Sequence, residues 1–342
     1  MPAANTPRVS VLVVSWNARP LLERCLPSVA ATDHPDFEVV LVDNGSTDDS
    51  VAWVTANLPT VRILQLEDNL GFCGGNNRGI EATDGEFVVL LNNDVEVEPD
   101  WLTHLVARVD SDPSIAAVQP KLLQFGDRGT FEYAGAAGGH LDRLGYPFAR
   151  GRLFFDLETD RGQYDEPADV FWATGAALLL RRSALETVGL LDEAFEFHME
   201  EIDLCWRLRR AGYRVMTEPR AKAYHIGGGS LAQTSPRKTR YNFRNSLLML
   251  YKNLPPSGWL RVFPQRILMD GLAILRFVAR AEFSHAAAVL QAYWQAHRMK
   301  GAYSPPSRAE SIPPSYRKSI VLDYYLRGRK TFGQLDPGDF RP

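Results

Sequence analysis

Apolar and polar residues form a repeated block pattern along the first hundred residues. Four short apolar runs are each followed by a polar cluster and then by a segment compatible with a helix. The runs are Val9–Val14, Phe37–Val42, Val61–Leu66 and Phe87–Leu91. Unbroken apolar runs are typical of strands that are buried on both faces. The pattern predicts an α/β fold, in which a βαβ series forms a mostly parallel sheet flanked by helices.

The polar clusters that end these runs are expected to converge. They begin at Ser15, Asp43, Glu67 and Asn92, each directly after its apolar run. In parallel βαβ units the carboxyl ends of the strands share one edge of the sheet, and ligands bind in the crevice beyond that edge. One polar strand end is routine, whereas four converging ends are what a nucleotide pocket requires.

The cluster Asn92–Asp94 is the first candidate for metal chemistry. A carboxylate at the carboxyl end of a buried strand is a good ligand for a hard divalent cation, which a bound diphosphate requires. The alternative is a simple turn, because Asn and Asp favour turns by bonding their own backbone. The stretch by itself leaves both interpretations open.

The common nucleotide-binding motifs are absent from the sequence. No G-x-x-x-x-G-K-[ST] loop is present, and the first run is followed by Ser-Trp-Asn-Ala-Arg instead of G-x-G-x-x-G. A P-loop nucleotidase and a Rossmann dehydrogenase are therefore disfavoured. A glycine-rich piece, Asn69–Gly79, follows the third run, where it either lets the backbone approach a ligand or forms a tight strand-to-helix turn.

The cysteines and the apolar segments bear on the cellular compartment in which the protein is expected to work. Three widely spaced cysteines argue against a disulfide framework or a thiolate metal site and favour a reducing cytoplasm. The N-terminus lacks the layout of a signal peptide, and Ile267–Ala279 is interrupted by charges and too short to span a bilayer, so we predict no transmembrane helix.

Charge is unevenly distributed along the chain. From Pro236 onward there are 18 Lys and Arg against 6 Asp and Glu, a net charge of +12, whereas the preceding part carries −15. A basic module suits an anionic partner, either a membrane surface or a phosphate-bearing acceptor. No nucleic-acid signature is present, and we expect no nucleic-acid partner.

A second acidic group lies in the segment His198–Gly212. Its apolar positions fit one helical face and Gly212 terminates the helix, which places Glu200, Glu201 and Asp203 in the first turn. Acidic residues are favoured there by the helix dipole alone, so the residues themselves leave a purely structural role open.

Two later regions are less regular. The segment Gly126–Asp169 shows no clear periodicity and is interpreted as a long insertion near the acceptor site. Tyr241–Leu254 and Gln265–Lys300 are predicted as helices with apolar faces and scattered arginines. Such helices either lie against an anionic membrane or pack as a helical pair on the rest of the protein. The aromatic residues beside these arginines suit the membrane interpretation, namely Trp259, Phe263, Phe277, Tyr293 and Trp294.

Six blocks in this sequence together resemble glycosyltransferase family 2, in its bacterial rhamnosyltransferase-like branch. They are VSVLVVSWN, VVLVDNGSTDDS, NLGFCGGNNRGI, LLNNDVEV, ATGAALLLRR and FEFHMEEIDLCWRLRRAGY. The resemblance covers residues 8–230 strongly. It implies a GT-A nucleotide-diphospho-sugar transferase fold, which we assign to residues 1–235. The charge and the helical pattern indicate a separate basic, helical region over residues 236–342, with membrane association as one of its two interpretations. The resemblance further implies a nucleoside-diphosphate sugar donor, a Mg²⁺ or Mn²⁺ ion and inversion at the anomeric carbon.

The resemblance also implies roles for particular residues. Glu201 would be the catalytic base, with Glu200 as the fallback, and Asp94 and His225 would bind the metal, beside a glycine loop that closes over the donor. Asn92 stands where the family carries the first aspartate of its D-x-D motif. The implied donor-binding residues are Ser15, Trp16, Asn17, Asp43, Asn69, Gly74, Asn77, Asn92 and Asn93. Trp172, Thr174 and Gly175 would shape the acceptor and sugar side.

The resulting hypothesis is an inverting glycosyltransferase of cell-surface polysaccharide synthesis. It would move a sugar, best matched by rhamnose, from a dTDP- or UDP-linked donor to a glycan or lipid-linked acceptor, in the cytoplasm and peripherally at the inner face of the membrane. Two alternatives stay open at this point. A sugar nucleotidyltransferase shares the sheet and metal but would carry a Gly-rich basic loop after the first strand, and a non-catalytic sugar-nucleotide-binding protein would tolerate loss of the acidic positions.

Overall fold

The computed structural model describes residues 9–227 and 235–341. The strands are β1 (Val9–Ser15), β2 (Phe37–Asp43), β3 (Arg62–Gln65), β4 (Phe87–Asn92), β5 (Val95–Val97), β6 (Ile115–Gln124), β7 (Gly139–Leu141), β8 (Pro147–Ala149), β9 (Arg152–Leu153), β10 (Asp156–Leu157), β11 (Ala168–Asp169), β12 (Ala177–Arg181) and β13 (Arg214–His225). The helices are α1 (Arg19–Ala30), α2 (Ser50–Asn57), α3 (Gly71–Glu81), α4 (Trp101–Asp110), α5 (Arg182–Val188), α6 (Glu200–Arg210), α7 (Pro236–Asn253), α8 (Pro256–Ala279), α9 (Phe283–Met299) and α10 (Ile320–Tyr325). Single 3-10 turns lie at Glu193–Phe195, Lys300–Ala302, Phe332–Gln334 and Pro337–Asp339.

Nine strands form the central sheet, in the order β11-β13-β6-β12-β4-β1-β2-β3 with β5 added beside β13. The half built from β4, β1, β2 and β3 is parallel, as the four apolar runs predicted. The other half is mixed, because β12 runs antiparallel to both β4 and β6. The fold class predicted from sequence is confirmed, with a mixed sheet in place of a uniformly parallel one.

The register places the polar strand ends at one edge of the sheet. Ser15 at the end of β1 pairs with Asp43 at the end of β2, and Val14 pairs with Asn92 at the end of β4. The convergence predicted from the block pattern is therefore confirmed.

Alternate side chains of the central strands pack on opposite faces of the sheet. Leu12, Val40 and Leu90 belong to the apolar core on one face, and Val11, Leu41 and Val89 to the core on the other. All six side chains are fully buried. This double burial is why the strands are continuous apolar runs without alternation.

The segment interpreted as a long insertion forms a second, four-stranded antiparallel sheet, in the order β10-β9-β8-β7. Its apolar side chains share a small core with the C-terminal tail. The core includes Phe148 and Leu153 from the small sheet and Tyr316, Ile320 and Leu335 from the tail. Tyr316 forms bridges with both Asp142 and Phe340. The last part of the chain is thus not only helical, since it also completes the packing of this small sheet.

The predicted helices of the C-terminal region are present with different bounds. The predicted segment Gln265–Lys300 is divided by the turn at residues 280–282 into α8 and α9. Among the described residues, we find no helix with the length and apolar character needed to cross a bilayer.

Candidate active site

Backbone pairing brings Asp94 and His225 together although they are separated by 131 positions. Asp94 lies in the turn between β4 and β5, and His225 is the last residue of β13. Strand β5 runs antiparallel to β13 with Val95 opposite His225, and the Ile226 amide donates to the Asp94 carbonyl at 3.0 Å. As a result, His225 Nε2 lies 3.0 Å from Asp94 Oδ1, and both side chains are buried.

Glu132 is a third member of this group that sequence reasoning missed. Its Oε1 lies 3.2 Å from His225 Nδ1, while its Oε2 accepts the backbone N–H of Ala134. Burial opposes a charged imidazole, but the flanking carboxylates of Asp94 and Glu132 outweigh that effect and raise the pKa of His225 to about 10. Each ring nitrogen therefore faces one carboxylate.

The pair Asp94 and His225 fits a divalent cation. Two ligands at right angles, each about 2.1 Å from a Mg²⁺ or Mn²⁺ ion, lie about 3.0 Å apart, which is the separation of His225 Nε2 and Asp94 Oδ1. Glu132 Oε1, 3.2 Å from Nδ1, is in ionic contact with the ring without a well-aligned hydrogen bond, and it would favour the orientation that presents Nε2 to the metal. Within the described part of the chain, no group of three or more His, Cys, Asp or Glu side chains is placed to hold a metal ion.

The acidic first turn of α6 follows a conformationally strained loop. Glu196, His198 and Met199 all have positive φ angles, of 61°, 68° and 74°. Non-glycine residues in this region cost energy and cluster at functional sites, where the surrounding structure must hold them in place.

Helix α7 supplies the restraint. The buried Asn245 Nδ2 lies within 2.7 to 2.8 Å of three carbonyl oxygens, those of Phe195, Phe197 and His198. Next to it, Arg244 donates to the carbonyls of Ala194 and Phe195. The C-terminal region therefore fixes the backbone that leads into Glu200 and Glu201.

The carboxyl groups of Glu200 and Glu201 are shielded from solvent and only partly hydrogen-bonded. Backbone N–H groups bond to each of them, but in the described part of the chain one oxygen of each, Oε2, has no hydrogen-bond partner. Burial raises the pKa of Glu201 to about 7, and burial together with the charge of Glu201 raises the pKa of Glu200 well above its ordinary value. A carboxylate whose pKa is near neutrality is suited to general-base chemistry at physiological pH.

Glu201 adjoins the same edge of the sheet as Asp94. A Cβ placed on Gly175 would be 3.6 Å from the Cβ of Glu201, so the start of α6 lies directly on this glycine. The following residue, Ala176, accepts the backbone N–H of Asn92 at 3.0 Å. The turn before β12 is therefore in contact with Glu201 on one side and with the Asn92–Asp94 segment on the other.

Lys238, in the first turn of α7, is a second residue that sequence reasoning missed. It interacts electrostatically with Glu132, and burial together with the charge of Lys238 lowers the pKa of His198 to about 4. His198 Nε2 is buried and has no hydrogen-bond partner among the residues that the structure describes. Lys238 therefore interacts electrostatically both with Glu132 and with the loop before Glu201.

Several predicted donor-binding residues line the carboxyl ends of β1, β2 and β4. Asn93 Nδ2 donates to Ser15 Oγ at 3.1 Å, and the buried carboxylate of Asp43 accepts the Ser46 amide at 3.4 Å. Trp16 is half exposed at the edge of this group. Asn17, with a positive φ, accepts the Thr47 amide at 2.7 Å and thereby joins the β1 and β2 loops.

Asn69, Gly74 and Asn77 are engaged in packing contacts. Asn77 donates to the Leu191 carbonyl at 2.9 Å, and Asn69 accepts from Asn44 at 3.0 Å. A Cβ on Gly74 would lie 2.6 Å from that of Leu70, so close packing at the start of α3 explains this glycine. Their predicted contact with the donor stays a prediction.

The predicted acceptor-side residues are mostly internal. The Trp172 ring packs on Gly139, where any side chain would collide with it, and its Nε1 donates to the His140 carbonyl at 3.0 Å. Thr174 is buried, and its backbone N–H donates to Gln119. Gly175 adjoins Glu201, and a Cβ placed on it would also lie 3.3 Å from the Phe72 ring, a tight approach that the ring would have to relieve by a small shift. The glycine loop beyond Gly227 lies outside the described residues.

The family model of "Glycosyl transferase family 2" matches residues 10–189, which is more than half of the chain. The chain belongs to glycosyl transferase family 2. This confirms the family predicted from the six sequence blocks.

Curated relatives of the chain include proteins of bacterial polysaccharide synthesis. It is 29% identical to the N-acetylglucosaminyl-diphospho-decaprenol L-rhamnosyltransferase of Mycobacterium tuberculosis, over 78% of this chain and 90% of that enzyme. It is 32% identical to the O-antigen biosynthesis protein RfbC of Myxococcus xanthus, over 66% of this chain. It is 30% identical to protein y4gI of Sinorhizobium fredii, over 72% of this chain. The matched parts span only 18% of RfbC and 27% of y4gI.

Solved structures establish the GT-A fold. GalNAc-T7 with UDP, GalNAc and Mn²⁺ superimposes with a TM-score of 0.59 at 18% identity, over 74% of this chain and 49% of that one. The mannosyltransferase PcManGT of Pyrobaculum calidifontis, in complex with GDP-Man and Mn²⁺, gives 0.55 at 17% identity, over 85% and 87%. At these identities the likeness concerns the fold alone.

Proposed function

We propose that this family 2 protein is an inverting, metal-dependent glycosyltransferase of cell-surface polysaccharide synthesis. Its donor is a nucleoside-diphosphate sugar, best matched by dTDP-rhamnose, and its acceptor is a glycan or a lipid-linked glycan. The observation that carries the proposal is the placement of two unlike groups at one edge of the sheet. The buried carboxylate of Glu201 lies on one side of the turn at Gly175, and the Asn92–Asp94 segment lies on the other.

Glu201 is assigned as the general base. Among the described residues its Oε2 has no hydrogen-bond partner, so its capacity to accept a proton is not used by the protein's own contacts there. As an acceptor hydroxyl oxygen attacks the anomeric carbon, Glu201 takes the hydroxyl proton, the new glycosidic bond forms, and the bond to the nucleoside diphosphate breaks. Attack from the face opposite the leaving group inverts the anomeric configuration.

The leaving group requires no carboxylic acid. A nucleoside diphosphate departs as a stable anion, and a Mg²⁺ or Mn²⁺ ion bound to Asp94 and His225 would supply the positive charge that stabilises it. A glycoside hydrolase, in contrast, needs a paired acid and base. A transferase needs one general base and one metal-binding pair of ligands. In this chain we assign the base to Glu201 and the metal-binding pair to Asp94 and His225.

The donor and acceptor assignments are supported by one relative. The mycobacterial protein, which is named as a rhamnosyltransferase acting on N-acetylglucosaminyl-diphospho-decaprenol, aligns over 90% of its length. For this chain we propose the same classes of substrate, with the protein acting in the cytoplasm at the inner face of the membrane. Ser15, Asp43 and Asn93 are assigned to the nucleoside end of the donor, because they lie together at the ends of β1, β2 and β4.

A donor screen tests the proposal. The purified chain is titrated with dTDP-rhamnose, UDP-sugars and GDP-mannose, with and without Mn²⁺, in a thermal shift assay. The preferred donor is then incubated with a polyprenyl-diphosphate-linked GlcNAc acceptor, and the anomeric configuration of the product is determined by NMR. We expect Mn²⁺-dependent stabilisation by dTDP-rhamnose and an inverted product. Release of pyrophosphate from a nucleoside triphosphate and a sugar phosphate would establish a nucleotidyltransferase, and donor binding without turnover would establish a non-catalytic protein.

A further inference from the structure

Helix α8 exposes a continuous apolar stripe to solvent. Leu260, Leu268 and Leu275 are 72%, 66% and 65% exposed, and Ile267, Leu272 and Val278 are about half exposed. At 100° per residue these six side chains lie within an arc of about 140° on one side of the helix. Large side chains in such an uninterrupted row are not the isolated exposed apolar residues that every protein carries. We call these six residues the leucine stripe.

The polarity of α8 is inverted relative to an ordinary surface helix. The side of α8 that faces the protein carries Val262, Arg266 and Asp270, all buried. Arg266 and Asp270 form an ion pair at 3.3 Å, and Arg266 also donates to the Leu144 carbonyl at 3.0 Å. The buried side of α8 thus includes a paired arginine and aspartate, while the outer side carries six large apolar side chains, as in a helix whose outer face contacts hydrocarbon.

The aromatic residues that the sequence singled out for a membrane contact do not form the stripe. Trp259 stacks on Phe263 with ring centres 4.6 Å apart, and both pack against the main core. Tyr293 is turned toward α8, where its hydroxyl donates to Asp270 at 2.7 Å. These aromatics attach α8 and α9 to the protein, and the leucines are left free on the outside. Trp294, in contrast, is 59% exposed on α9. The contacts of Trp259, Phe263 and Tyr293 are those of a helical pair packed on the protein, and the membrane contact stays a prediction.

Basic side chains border the leucine stripe. Arg261, Arg276 and Arg280 are exposed on α8, and the guanidinium of Arg276 lies 6.0 Å from the ring centre of Tyr325. Next to that ring, Leu326 is 78% exposed and is followed by the exposed Arg327. The only acidic residue within α8 is Asp270, which is buried in its ion pair. At 100° per residue Arg276 and Arg280 lie beside the stripe, whereas Arg261 lies within its arc at the N-terminal end of the helix.

We infer that the leucine stripe of α8 is a membrane-docking face that inserts into the interfacial region of an anionic phospholipid bilayer, with its arginines in contact with the lipid phosphates. Two copies of this chain are a poorer match, because a symmetric contact would bring like-charged arginine margins together. An anionic bilayer complements both the leucines and the arginines. The inference rests on the proposed function only for its purpose, since a lipid-linked acceptor is presented at the bilayer surface.

Vesicle co-flotation of the full chain tests this inference. The vesicles are phosphatidylcholine with 30% phosphatidylglycerol, or phosphatidylcholine alone. We expect the wild-type chain to float with the anionic vesicles, and Leu268→Glu/Leu272→Glu to lose at least tenfold in the fraction bound. Ala52→Glu/Ala56→Glu is the matched control, because it places the same two charges four residues apart on the exposed face of α2. This control should float like the wild type.

Two further measurements make every outcome decisive. Light scattering coupled to size exclusion reports the oligomeric state, and turnover of a short-chain, water-soluble acceptor reports the active site. Equal flotation of Leu268→Glu/Leu272→Glu and the wild type, or no flotation of the wild type, would overturn the inference. If the wild type is a dimer, the double variant is a monomer and neither floats with vesicles, the membrane inference is overturned and the leucine stripe is a contact between copies of the chain. Turnover of the soluble acceptor should be unchanged in the double variant, so failure of the membrane inference is distinguishable from failure of the proposed chemistry.

Discussion

His225 Nε2 lies 3.0 Å from Asp94 Oδ1, and the other ring nitrogen of His225 lies 3.2 Å from Glu132 Oε1. The imidazole is thus held between two buried carboxylates that come from different parts of the chain. In the proposed metal site, Glu132 would orient the ring while Asp94 and His225 bind the ion. We therefore propose that Glu132 supports metal binding without direct contact with the ion.

The first prediction concerns metal affinity. His225→Ala should reduce Mn²⁺ affinity because it removes a ligand, and Glu132→Gln should reduce it by about 10- to 100-fold because the ring loses its orienting carboxylate. Isothermal titration with Mn²⁺, or the electron paramagnetic resonance signal of free Mn²⁺, measures both effects directly. Glu158→Gln is the control, because Glu158 lies in the same segment but binds Tyr164. Unchanged affinity in His225→Ala would remove His225 from the metal site.

The second prediction concerns the pH dependence of transfer. Burial raises the pKa of Glu201 to about 7, and the base must be deprotonated to accept the acceptor proton. The single-turnover rate should therefore fall about tenfold per pH unit below pH 7 and reach a plateau above it. The titratable groups that interact electrostatically with Glu201 are Glu200, Cys73 and Cys205, and burial raises the pKa of both thiols, so the thiols stay neutral over this range. A rate that is flat between pH 5.5 and 8.5, with donor and metal saturating, would exclude Glu201 as the base.

The third prediction concerns stability. The pKa of Glu200 is raised above its ordinary value of 4.5 by burial and by the charge of Glu201, so the folded state binds more protons than the unfolded state above that pH. Stability is accordingly lost as the pH rises through the folded-state pKa. Glu200→Gln cannot ionise, so its melting temperature should exceed that of the wild type by on the order of 2 °C or more at pH 8, and by less at pH 5. Calorimetry at the two pH values measures the difference, and a gain of equal size at both would contradict the assignment of a raised pKa.

The fourth prediction concerns the restraint from α7. Asn245→Asp replaces an amide donor with a carboxylate facing the carbonyls of Phe195, Phe197 and His198, which it would repel. The loop before α6 should relax and misplace Glu201, which lowers kcat by up to about 100-fold. Donor affinity should be retained, because the donor-side residues belong to other elements. Asn242→Asp, on the same helix, is the control.

A loss of kcat in Asn245→Asp has two explanations, which far-UV and near-UV circular dichroism separate. A folded variant with native donor affinity and reduced kcat supports a positioning role for Asn245. Native kcat in a folded Asn245→Asp would show that the loop holds its conformation without the restraint.

Much of the fold follows from local sequence. The strands β1, β2 and β4 begin and end within a residue of the apolar runs, because their double burial leaves an unbroken apolar signal. The first turn of α6 was also predicted, because its apolar face and the terminating Gly212 are both local features. The convergence of Ser15, Asp43 and Asn92 follows from the rule that parallel strands share one carboxyl edge.

The remainder depends on long-range pairing that no local pattern encodes. Glu132 lies in a segment without periodicity, and it approaches His225 only because its backbone N–H donates to Leu122, on the strand paired with β13. Asn245 lies on a helix predicted as part of a separate C-terminal region, and nothing in that helix indicates which loop it contacts. On α8, apolar residues occur on both sides of the helix, so the sequence did not separate the inward aromatics from the outward leucines.

The most direct test of the account is single-turnover transfer by Glu201→Gln, alongside isothermal titration of the variant with the donor. Glutamine keeps the size of the side chain and its contact with the turn at Gly175 but cannot accept the acceptor proton. We expect native donor affinity and a transfer rate lower by about 100- to 10,000-fold in Glu201→Gln, while Glu200→Gln retains most of its activity. Near-normal transfer by Glu201→Gln, or loss of transfer in Glu200→Gln alone, would contradict the assignment of Glu201 as the general base.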